Sequence, residues 1–351
     1  MRSAIVLAAG KGTRMKSSLV KPMHKVLDKP MVEHIVNNLK KVNAERIVVV
    51  VGYDAEAVTA YMNGQCEFAT QLEVNGSGSA VRYASQLSGI GGTTLVVNGD
   101  CPLIQPETFE MMYQEAEKSD LVVLSAVLEN GQRYGRIIRD ENGDFLKITE
   151  FKDCSEEEVK VTEINSGIYA FDNQLLFDYL PLLKNDNAQK EYYITDLIEI
   201  FKNKGHKVVA KPIQDPKEAS GINDRYELYE AQKWLQRKIN YQWMRNGVTI
   251  IDPESTYISD DAEIGEDTII YPNTFIYGKT KIGKNNLITG SNRIVNSIIQ
   301  DNNRIDHLQL IDSEVGSNNE IGPYVVLEHV KIHDNEKIHN LTEVQYTLTY
   351  Y

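Results

Sequence analysis

Cysteine is scarce in this chain of 351 residues, which contains only Cys66, Cys101 and Cys154. The three are scattered, odd in number and without the close spacing of a metal-binding pair. Domains that depend on disulfides carry many regularly spaced cysteines. The composition therefore argues against a disulfide framework and a cysteine-ligated metal site, and it favours a reducing compartment, the cytoplasm.

Long apolar runs are also missing. No stretch reaches the roughly 18 consecutive apolar residues that a membrane-spanning helix needs. Met1 leads almost directly into an apolar segment that begins at Ala4, which leaves no room for a secretory signal peptide. We therefore expect no membrane insertion and no export.

Positive charge is in deficit, because 37 Lys and Arg stand against 50 Asp and Glu, for a formal net charge of -13. A nucleic-acid-binding protein needs a basic face against backbone phosphates, so this class is disfavoured. The first 25 residues differ from the rest, since they contain no Asp or Glu but carry Arg2, Lys11, Arg14, Lys16, Lys21 and Lys25. A small phosphorylated substrate would find its positive charge here.

The segment Leu7–Met15 (Leu-Ala-Ala-Gly-Lys-Gly-Thr-Arg-Met) follows the apolar run Ala4–Val6. A buried strand thus runs into a glycine-rich turn, in which backbone N–H groups can point at phosphate oxygens. The turn is neither a G-x-G-x-x-G dinucleotide motif nor a P-loop. A tight turn with merely solvated cations is the alternative, and the nearby Arg14 and Lys21 disfavour it. We expect three residues of the turn to lie against a polyphosphate: Leu7, Gly10 and Gly12.

Short β-branched runs alternate with helical patterns in the first part of the chain. Strands are predicted at Ala4–Ala8, Arg46–Val51, Thr94–Asn98 and Leu121–Val127, and helices at Met31–Val42, Ser79–Leu87 and Pro106–Lys118. The alternation is typical of βαβ units and predicts an α/β domain with a mostly parallel sheet and helices on both faces. Ligands bind such sheets beyond the carboxyl ends of the strands, where the glycine-rich turn and Asp100 lie.

A hexapeptide period follows a long predicted helix over Asp224–Asn246, which we interpret as the arm between two domains. Isoleucine occupies positions 258, 264, 270, 276, 282, 288 and 294, and apolar residues continue the series in shifted register to Val344. A period of six indicates a β-helix in which three hexapeptides make one triangular coil. The segment is long enough for roughly five coils.

Polar residues at predicted strand ends have the chemistry of a metal and sugar site. Asp100 ends a buried run and suits Mg²⁺, although an aspartate before Pro102 also suits a simple turn. Glu150 follows the strand-like run Ile148–Thr149, and Asn165 lies within the run Glu163–Ile168. Carboxylate and amide groups are the partners that a hydroxyl-rich ligand such as a sugar needs.

A second glycine-containing segment extends from Gln71 to Ala80. Gly76 precedes a predicted helix, whose free N–H groups could hold a phosphate or a base edge. The alternative is an ordinary helix start capped by the hydroxyl of Ser77 or Ser79.

These segments together resemble the bacterial N-acetylglucosamine-1-phosphate uridyltransferase family, whose usual members also carry a glucosamine-1-phosphate acetyltransferase on a left-handed β-helix. The resemblance covers nearly the whole chain and is carried by Leu7–Met15, Asn98–Ile104, Tyr134–Ile137, Glu163–Gly167, Glu191–Leu197 and Gly221–Arg225. It implies a Rossmann-like nucleotidyltransferase domain over residues 1–223. A linker helix over 224–247 and a short left-handed parallel β-helix over 248–351 would follow.

The resemblance also implies a reaction, in which a sugar-1-phosphate attacks the α-phosphorus of UTP in line and pyrophosphate leaves. The product would be UDP-N-acetylglucosamine for cell-wall synthesis. Arg14 and Lys21 would be catalytic cations at the triphosphate, and Asp100, also catalytic, would hold Mg²⁺ with Asn223. Further substrate contacts are implied for Ala8, Gln71 and Gly76 at uracil, and for Gly135, Glu150 and Asn165, with Ser77 nearby, at the amino sugar. Val74 departs from the family, which usually carries a second glutamine there.

The second domain departs more strongly from the family. Gly322–Glu328 lacks the arginine that the family uses in acetyl transfer, and Asn340–Tyr346 lacks its lysine. The chain ends at Tyr351, before the region that would carry the catalytic histidine. We therefore expect no acetyltransferase activity, and a homotrimer held through the β-helix. Three alternatives stay open: a uridyltransferase for another sugar-1-phosphate, retained acetyl transfer, and a non-catalytic regulatory subunit.

Overall fold

The computed structural model describes residues 1–52, 55–131, 134–187 and 189–339, together with the backbone of a strand at Glu343–Gln345. The chain divides into two compact units. The first unit comprises Met1–Lys25 and Lys29–Leu228, and the second comprises Val26–Asp28 and Tyr229–Tyr351.

The strands before residue 225 are, in chain order, β1 Arg2–Ala8, β2 Lys25–Val26, β3 Lys29–Pro30, β4 Arg46–Val51, β5 Glu67–Thr70, β6 Thr93–Asn98, β7 Leu121–Val127, β8 Arg136–Arg139, β9 Phe145–Thr149, β10 Glu163–Asp172 and β11 Val208–Pro212. Among the described residues, nine of them form one sheet in the order β11-β7-β10-β6-β1-β4-β5, with β8 paired to both β10 and β9. The strands β1, β4 and β6 lie side by side at its centre, so their carboxyl ends share one edge.

Most neighbours in this sheet are parallel, as predicted. β1 is parallel to β4 and β6, β4 to β5, and β7 to β11. The exception is β10, which runs antiparallel to β6 and β7, while β8 and β9 form an antiparallel hairpin. Between β9 and β10 the only α-helix is Glu156–Val159, too short for the crossover that a parallel neighbour needs.

The helices are α1 Met31–Lys41, α2 Glu56–Tyr61, α3 Ser77–Tyr83, α4 Pro106–Ala116, α5 Glu156–Val159, α6 Asn173–Tyr179, α7 Asp196–Asn203 and α8 Arg225–Arg245. Short 3-10 turns lie at Thr13–Met15, Lys21–Met23, Ser85–Leu87, Phe151–Asp153, Leu180–Leu182 and Pro216–Ala219. The four predicted strands and the predicted helices are confirmed to within a few residues, except that the helix expected over Ser79–Leu87 is split into α3 and a 3-10 turn. No described helix is both long and apolar enough to cross a membrane.

Both faces of the sheet are buried. Along β1, Ala4, Val6 and Ala8 enter one apolar cluster, whereas Ile5 enters another. All four are at most 8% exposed. Alternate side chains of a strand point to opposite faces, so helices cover the sheet on both sides and polar ligands are confined to its edge.

The second unit contains a parallel β-helix. Its strands are Thr249–Ile250, Tyr257–Ile258, Glu263–Ile264, Ile269–Ile270, Thr274–Tyr277, Lys281–Ile282, Leu287–Thr289, Asn292–Val295, Ile298–Ile299, Arg304–Asp306, Leu308–Ile311, Glu314–Val315, Glu320–Ile321, Val325–Glu328, Lys331–Ile332, Lys337–Ile338 and Glu343–Gln345. Every third strand belongs to the same parallel sheet. Ile258, Ile276 and Ile294, three hexapeptides apart, stack in register and are fully buried. The hexapeptide prediction is thereby confirmed through Ile338, while the side chain of Val344 lies outside the described residues; left-handed winding stays a prediction.

Buried asparagines connect successive coils at one corner of the β-helix. The side-chain oxygen of Asn286 accepts the N–H of Asn303 at 2.9 Å, and that of Asn303 accepts the N–H of Asn319 at 2.8 Å. All three residues are at most 2% exposed. Buried backbone groups need such partners, so this ladder stabilises the stack where strand pairing stops.

Candidate active site

The loop after β1 is shaped by Gly12, which adopts the left-handed conformation with a φ of 58°. A Cβ at this position would lie 2.6 Å from the Cβ of Lys21. The 3-10 turn that follows is anchored by Met15, 1% exposed, and leaves Arg14 exposed. Gly12 thus lets the chain at Lys21 pack against the loop, which brings two cations to the same edge of the sheet.

Asp100 lies beside this loop because β6 is the parallel neighbour of β1. The N–H of Gly99 donates to the carbonyl oxygen of Leu7 at 2.9 Å, and a Cβ on Gly99 would lie 2.7 Å from that oxygen. A cavity of about 230 Å³ is lined by Leu7, Gly10, Lys21 and Asp100. Asp100 lies in a turn, but within the described part of the chain its carboxylate accepts no backbone N–H and so does not cap that turn.

Four predicted residues from distant parts of the sequence meet here. The ammonium nitrogen of Lys21 lies 2.5 Å from Asp100 Oδ2 and 2.9 Å from Asn223 Oδ1. The guanidinium of Arg14 donates to the same Asn223 oxygen at 2.8 Å. The backbone N–H of Asn223 in turn donates to Glu227 at 2.6 Å, in the first turn of α8. The cluster is partly shielded, with side-chain exposures of 14% for Lys21 and 26% for Asp100.

The donor set of this cluster fits Mg²⁺. The described residues contain no group of three or more His, Cys, Asp or Glu side chains that could enclose a metal by themselves. Mg²⁺ prefers oxygen ligands and commonly takes one or two from the protein and the rest from substrate phosphates and water. Asp100 and Asn223 supply such oxygens, and the Lys21 ammonium between them shows that the position accommodates a cation.

A larger cavity of about 770 Å³ lies beside the phosphate loop, lined by Ala8, Gly10 and Lys11 and by Gln71 beyond the end of β5. Gln71 is 2% exposed, and its Nε2 donates to the carbonyl oxygen of Glu73 at 3.0 Å. The predicted base contacts Ala8 and Gln71 therefore share one cavity. Gly76 is not among the lining residues of this cavity.

Gly76 and Ser77 have a structural task that the sequence does not show. Gly76 is the N-cap of α3, and neither Ser77 nor Ser79 caps this helix, so the capping alternative is wrong. The Ser77 hydroxyl instead accepts the N–H of Ile194 at 3.1 Å. A Cβ on Gly76, whose φ is 114°, would lie 2.4 Å from the carbonyl oxygen of Tyr192. Ser77 thus holds the segment around Tyr192 in place, and Gly76 leaves room for the backbone of Tyr192.

The three predicted sugar residues lie together. The carbonyl oxygen of Gly135 accepts the N–H of Asn165 at 2.9 Å, and a Cβ on Gly135 would lie 3.5 Å from the Glu150 carboxylate oxygens. The Asn165 amide donates to the hydroxyl of Tyr169 at 2.9 Å. Glu150 and Tyr193 line a cavity of about 550 Å³. Ser77 does not line this cavity, but its hydroxyl binds Ile194, the neighbour of the lining residue Tyr193.

The Glu150 carboxyl keeps contact with solvent, yet its pKa is raised above the ordinary value. The main cause is the loss of hydration beneath the surrounding protein, and the carboxylates of Asp153 and Asp196 add to it. Burial also raises the pKa of the Tyr169 hydroxyl, so this group is a neutral donor and acceptor. The sugar side of the site thus brings several carboxylates together, and Glu150 holds a proton more readily than an ordinary glutamate does.

Known proteins resemble the chain at the level of both units. Residues 4–172 match the MobA-like NTP transferase domain family. The chain is 45% identical over 348 residues to the bifunctional protein GlmU of Listeria monocytogenes serotype 4a, covering 98% of this chain and 76% of the relative. It is also 45% identical over 361 residues to the bifunctional protein GlmU of Lactobacillus johnsonii, covering 97% of this chain and 78% of that protein. The chain belongs to the GlmU family.

The predicted family resemblance is thereby confirmed. Membership of the GlmU family, together with the NTP transferase domain, makes the chain a sugar-1-phosphate nucleotidyltransferase in class. Among solved structures, a Bacillus anthracis protein assigned as a glucose-1-phosphate thymidylyltransferase is 20% identical with a TM-score of 0.54. It covers 66% of this chain and 94% of that protein, and at this identity it supports the fold alone.

Some site residues of this GlmU-family chain escape sequence reasoning. Arg136 is 1% exposed and donates to the carbonyl oxygens of Gly131, at 2.8 Å, and Tyr134. It thereby holds the carbonyl group of Tyr134 next to Gly135, which lies beside Glu150. The sequence signal, a cation directly before the apolar pair Ile137 and Ile138, does not indicate these partners. Glu227 and Tyr169, which hold Asn223 and Asn165, carry no comparable signal, because each is one polar residue among many.

Proposed function

We propose that this chain is a uridylyltransferase that makes UDP-N-acetylglucosamine and pyrophosphate from UTP and N-acetylglucosamine-1-phosphate. The observation that supports the proposal is the convergence of Arg14, Lys21, Asp100 and Asn223 at the carboxyl ends of β1 and β6. The base cavity with Gln71 and the sugar residues around Glu150 belong to the same unit.

The chemistry needs no protein nucleophile. An oxygen of the sugar phosphate attacks the α-phosphorus of UTP, and the bond from that phosphorus to the bridging oxygen breaks, so pyrophosphate leaves with the electron pair. Arg14 and Lys21 would exchange their present side-chain partners for phosphate oxygens and stabilise the charge that develops there. Mg²⁺ held by Asp100 and Asn223 would neutralise the charge of the triphosphate oxygens.

Base and sugar would be chosen by single polar contacts. Because the Gln71 Nε2 is held by Glu73, its Oε1 is left to accept the N3–H of uracil. Cytosine presents a lone pair at N3 and would leave this oxygen unpaired. On the other side, Glu150 and Asn165 would bind the hydroxyls and the amide of the amino sugar, positioned by Gly135 and Tyr169.

We assign this activity to residues 1–223, with 224–247 as linker helix and 248–351 as β-helix. The β-helix would mediate a homotrimer. Acetyl transfer is proposed to be absent because neither Gly322–Glu328 nor Asn340–Tyr346 contains a cation. The second of these segments lies largely outside the described residues. The three thiols form no disulfide, in line with a cytoplasmic location.

The test is pyrophosphate release from each nucleoside triphosphate against a panel of sugar-1-phosphates, with Mg²⁺ and with a chelator. We expect turnover with UTP and N-acetylglucosamine-1-phosphate that disappears with the chelator. Replacing Gln71 with leucine should raise the ratio of CTP to UTP turnover at least about tenfold, because the acceptor for N3–H is lost. Acetylation of glucosamine-1-phosphate by acetyl-CoA, or turnover confined to another triphosphate or sugar, would contradict the proposal.

A further inference from the structure

The base cavity contains one buried polar side chain with an unused acceptor. Gln71 is 2% exposed, its backbone N–H donates to the carbonyl oxygen of Val51 at 2.8 Å, and its Nε2 donates to that of Glu73 at 3.0 Å. A carbonyl oxygen cannot donate, so these contacts fix which end of the amide is the NH₂ group. Within the described ranges no protein donor reaches Oε1. Gln71 therefore offers a single hydrogen-bond acceptor to the occupant of the cavity.

The rest of the cavity wall is apolar as far as the structure describes it. Apart from Gln71 and Lys11 of the phosphate loop, the described lining side chains carry no polar group, and they include Val20, Pro22, Val58, Leu72 and Val74. Leu72 and Val74, which follow Gln71 in the chain, expose 67% and 54% of their surface. Apolar side chains held open to solvent around one convergent polar group are typical of a ligand surface.

We propose that this base subsite accepts uracil that is methylated at C5, so that 5-methyluridine and thymidine triphosphates are substrates alongside UTP. The inference rests on the proposed function, because it takes the cavity of Gln71 as the base subsite. A base that donates its N3–H to Gln71 Oε1 directs its carbon edge, C5–C6, away from that amide. Apart from Lys11, the described side chains that line the cavity outside the Gln71 segment are apolar, and the volume of about 770 Å³ has room for one more methyl group.

The same geometry distinguishes tolerance of a methyl group at C5 from acceptance of any base that fits the cavity. A methyl group at C5 adds no polar atom and finds an apolar wall, so it should be nearly neutral. Cytosine has the same size as uracil but no N3–H, so it should be rejected even though it fits. The subsite would thus discriminate by the hydrogen bond at N3 and tolerate change at C5.

The experiment compares UTP, 5-methyl-UTP and CTP in calorimetric binding with Mg²⁺ and in pyrophosphate release with N-acetylglucosamine-1-phosphate. 5-Methyl-UTP isolates the base methyl from the missing 2′-hydroxyl of thymidine triphosphate. We expect its Kd and kcat/KM to lie within about threefold of those of UTP, and CTP to be at least about 100-fold worse. A loss of more than about tenfold for 5-methyl-UTP would overturn the inference.

Variants test whether the apolar wall is the reason that the C5 methyl group is accepted. In the double variant Val20→Gln and Ala55→Gln, which changes lining residues outside the segment that carries Gln71, the ratio of 5-methyl-UTP to UTP activity should fall about tenfold, because hydrated amides replace the aliphatic surface. The matched control replaces two exposed valines outside this cavity, Val127→Gln and Val159→Gln, and should leave the ratio unchanged. An unchanged ratio in the first variant would refute the role of this wall.

The two proposals can fail separately. Equal binding of UTP and 5-methyl-UTP without pyrophosphate release from any sugar-1-phosphate would overturn the proposed reaction and support the base subsite. Turnover of UTP with exclusion of 5-methyl-UTP would support the reaction and overturn the present inference. Absence of binding by all three nucleotides would overturn both.

Discussion

Lys21 joins the two oxygens that are predicted to hold the metal. Its ammonium lies 2.5 Å from Asp100 Oδ2 and 2.9 Å from Asn223 Oδ1, in a partly shielded position. A carboxylate there is stabilised by a neighbouring cation, whether that cation is an ammonium or a metal ion. Lys21 and a metal should therefore compete for the same oxygens until a triphosphate draws the ammonium away.

Replacing Lys21 with methionine should separate its two roles. Pyrophosphate release should fall at least about 100-fold, because a cation at the triphosphate is lost. Binding of Mn²⁺ to the nucleotide-free protein should become tighter, by about tenfold, because the competing charge is gone. Electron paramagnetic resonance titration measures the second effect directly. The exposed Lys25→Met serves as control, and unchanged Mn²⁺ binding in the Lys21 variant would contradict the account.

Gly12 is needed for both its backbone conformation and its lack of a side chain. Gly12→Ala should lower the free energy of unfolding by about 1–3 kcal/mol, since alanine is strained at positive φ and its Cβ would lie 2.6 Å from Lys21. Urea unfolding gives the difference. Gly91→Ala is the matched control, because a Cβ there has no neighbour within 4 Å and its φ is not positive. Equal losses in the two variants would contradict the role of Gly12.

Glu150 gives the site a dependence on pH. Its raised pKa means that the carboxylate becomes protonated at a higher pH than an ordinary glutamate when the pH falls. The KM for the sugar phosphate should therefore increase on acidification, starting above the usual range for glutamate, with a smaller effect on the KM for UTP. In Glu150→Gln this increase should be absent. The same profile in wild type and variant would show that another group titrates.

At the scale of elements, the sequence predicted the strands and repeats whose formation depends on neighbouring residues. The strands β1, β4, β6 and β7 and the hexapeptide β-helix follow from apolar runs and periods that fix which side chains are buried. The antiparallel direction of β10 does not follow from its own residues, because it depends on the short connection after β9. Ser77 was likewise ambiguous, since its hydroxyl binds Ile194, more than a hundred residues away in sequence.

The asparagine ladder should contribute more to the stability of the β-helix than its surface ion pairs. Asn303→Ala should lower the free energy of unfolding by about 1–3 kcal/mol, because the N–H of the buried Asn319 loses its acceptor. The comparison is Lys331→Ala, which removes an exposed pair with Glu314 and should have a clearly smaller effect. Urea unfolding monitored by circular dichroism tests the order, and the reverse order would refute it.

At the scale of the whole molecule, the candidate site could be predicted as a set of residues but not as an arrangement. Parallel strands bring their carboxyl ends to one edge, so the grouping of the glycine-rich loop with Asp100 follows from the fold class. Asn223 came only from the family resemblance, since the strand order alone gives it no place. The supporting roles of Arg136 and Glu227 could not be predicted, because their partners are backbone groups of irregular segments.

The central claim is that one nucleotidyl-transfer site at this edge uses Asp100. Its most direct test is pyrophosphate release from UTP and N-acetylglucosamine-1-phosphate by wild type and by Asp100→Asn, with Asp178→Asn as an exposed control outside the site. We predict Mg²⁺-dependent turnover in wild type and control and a loss of at least about 100-fold in Asp100→Asn. Equal turnover in wild type and Asp100→Asn, or none in wild type, would contradict the account.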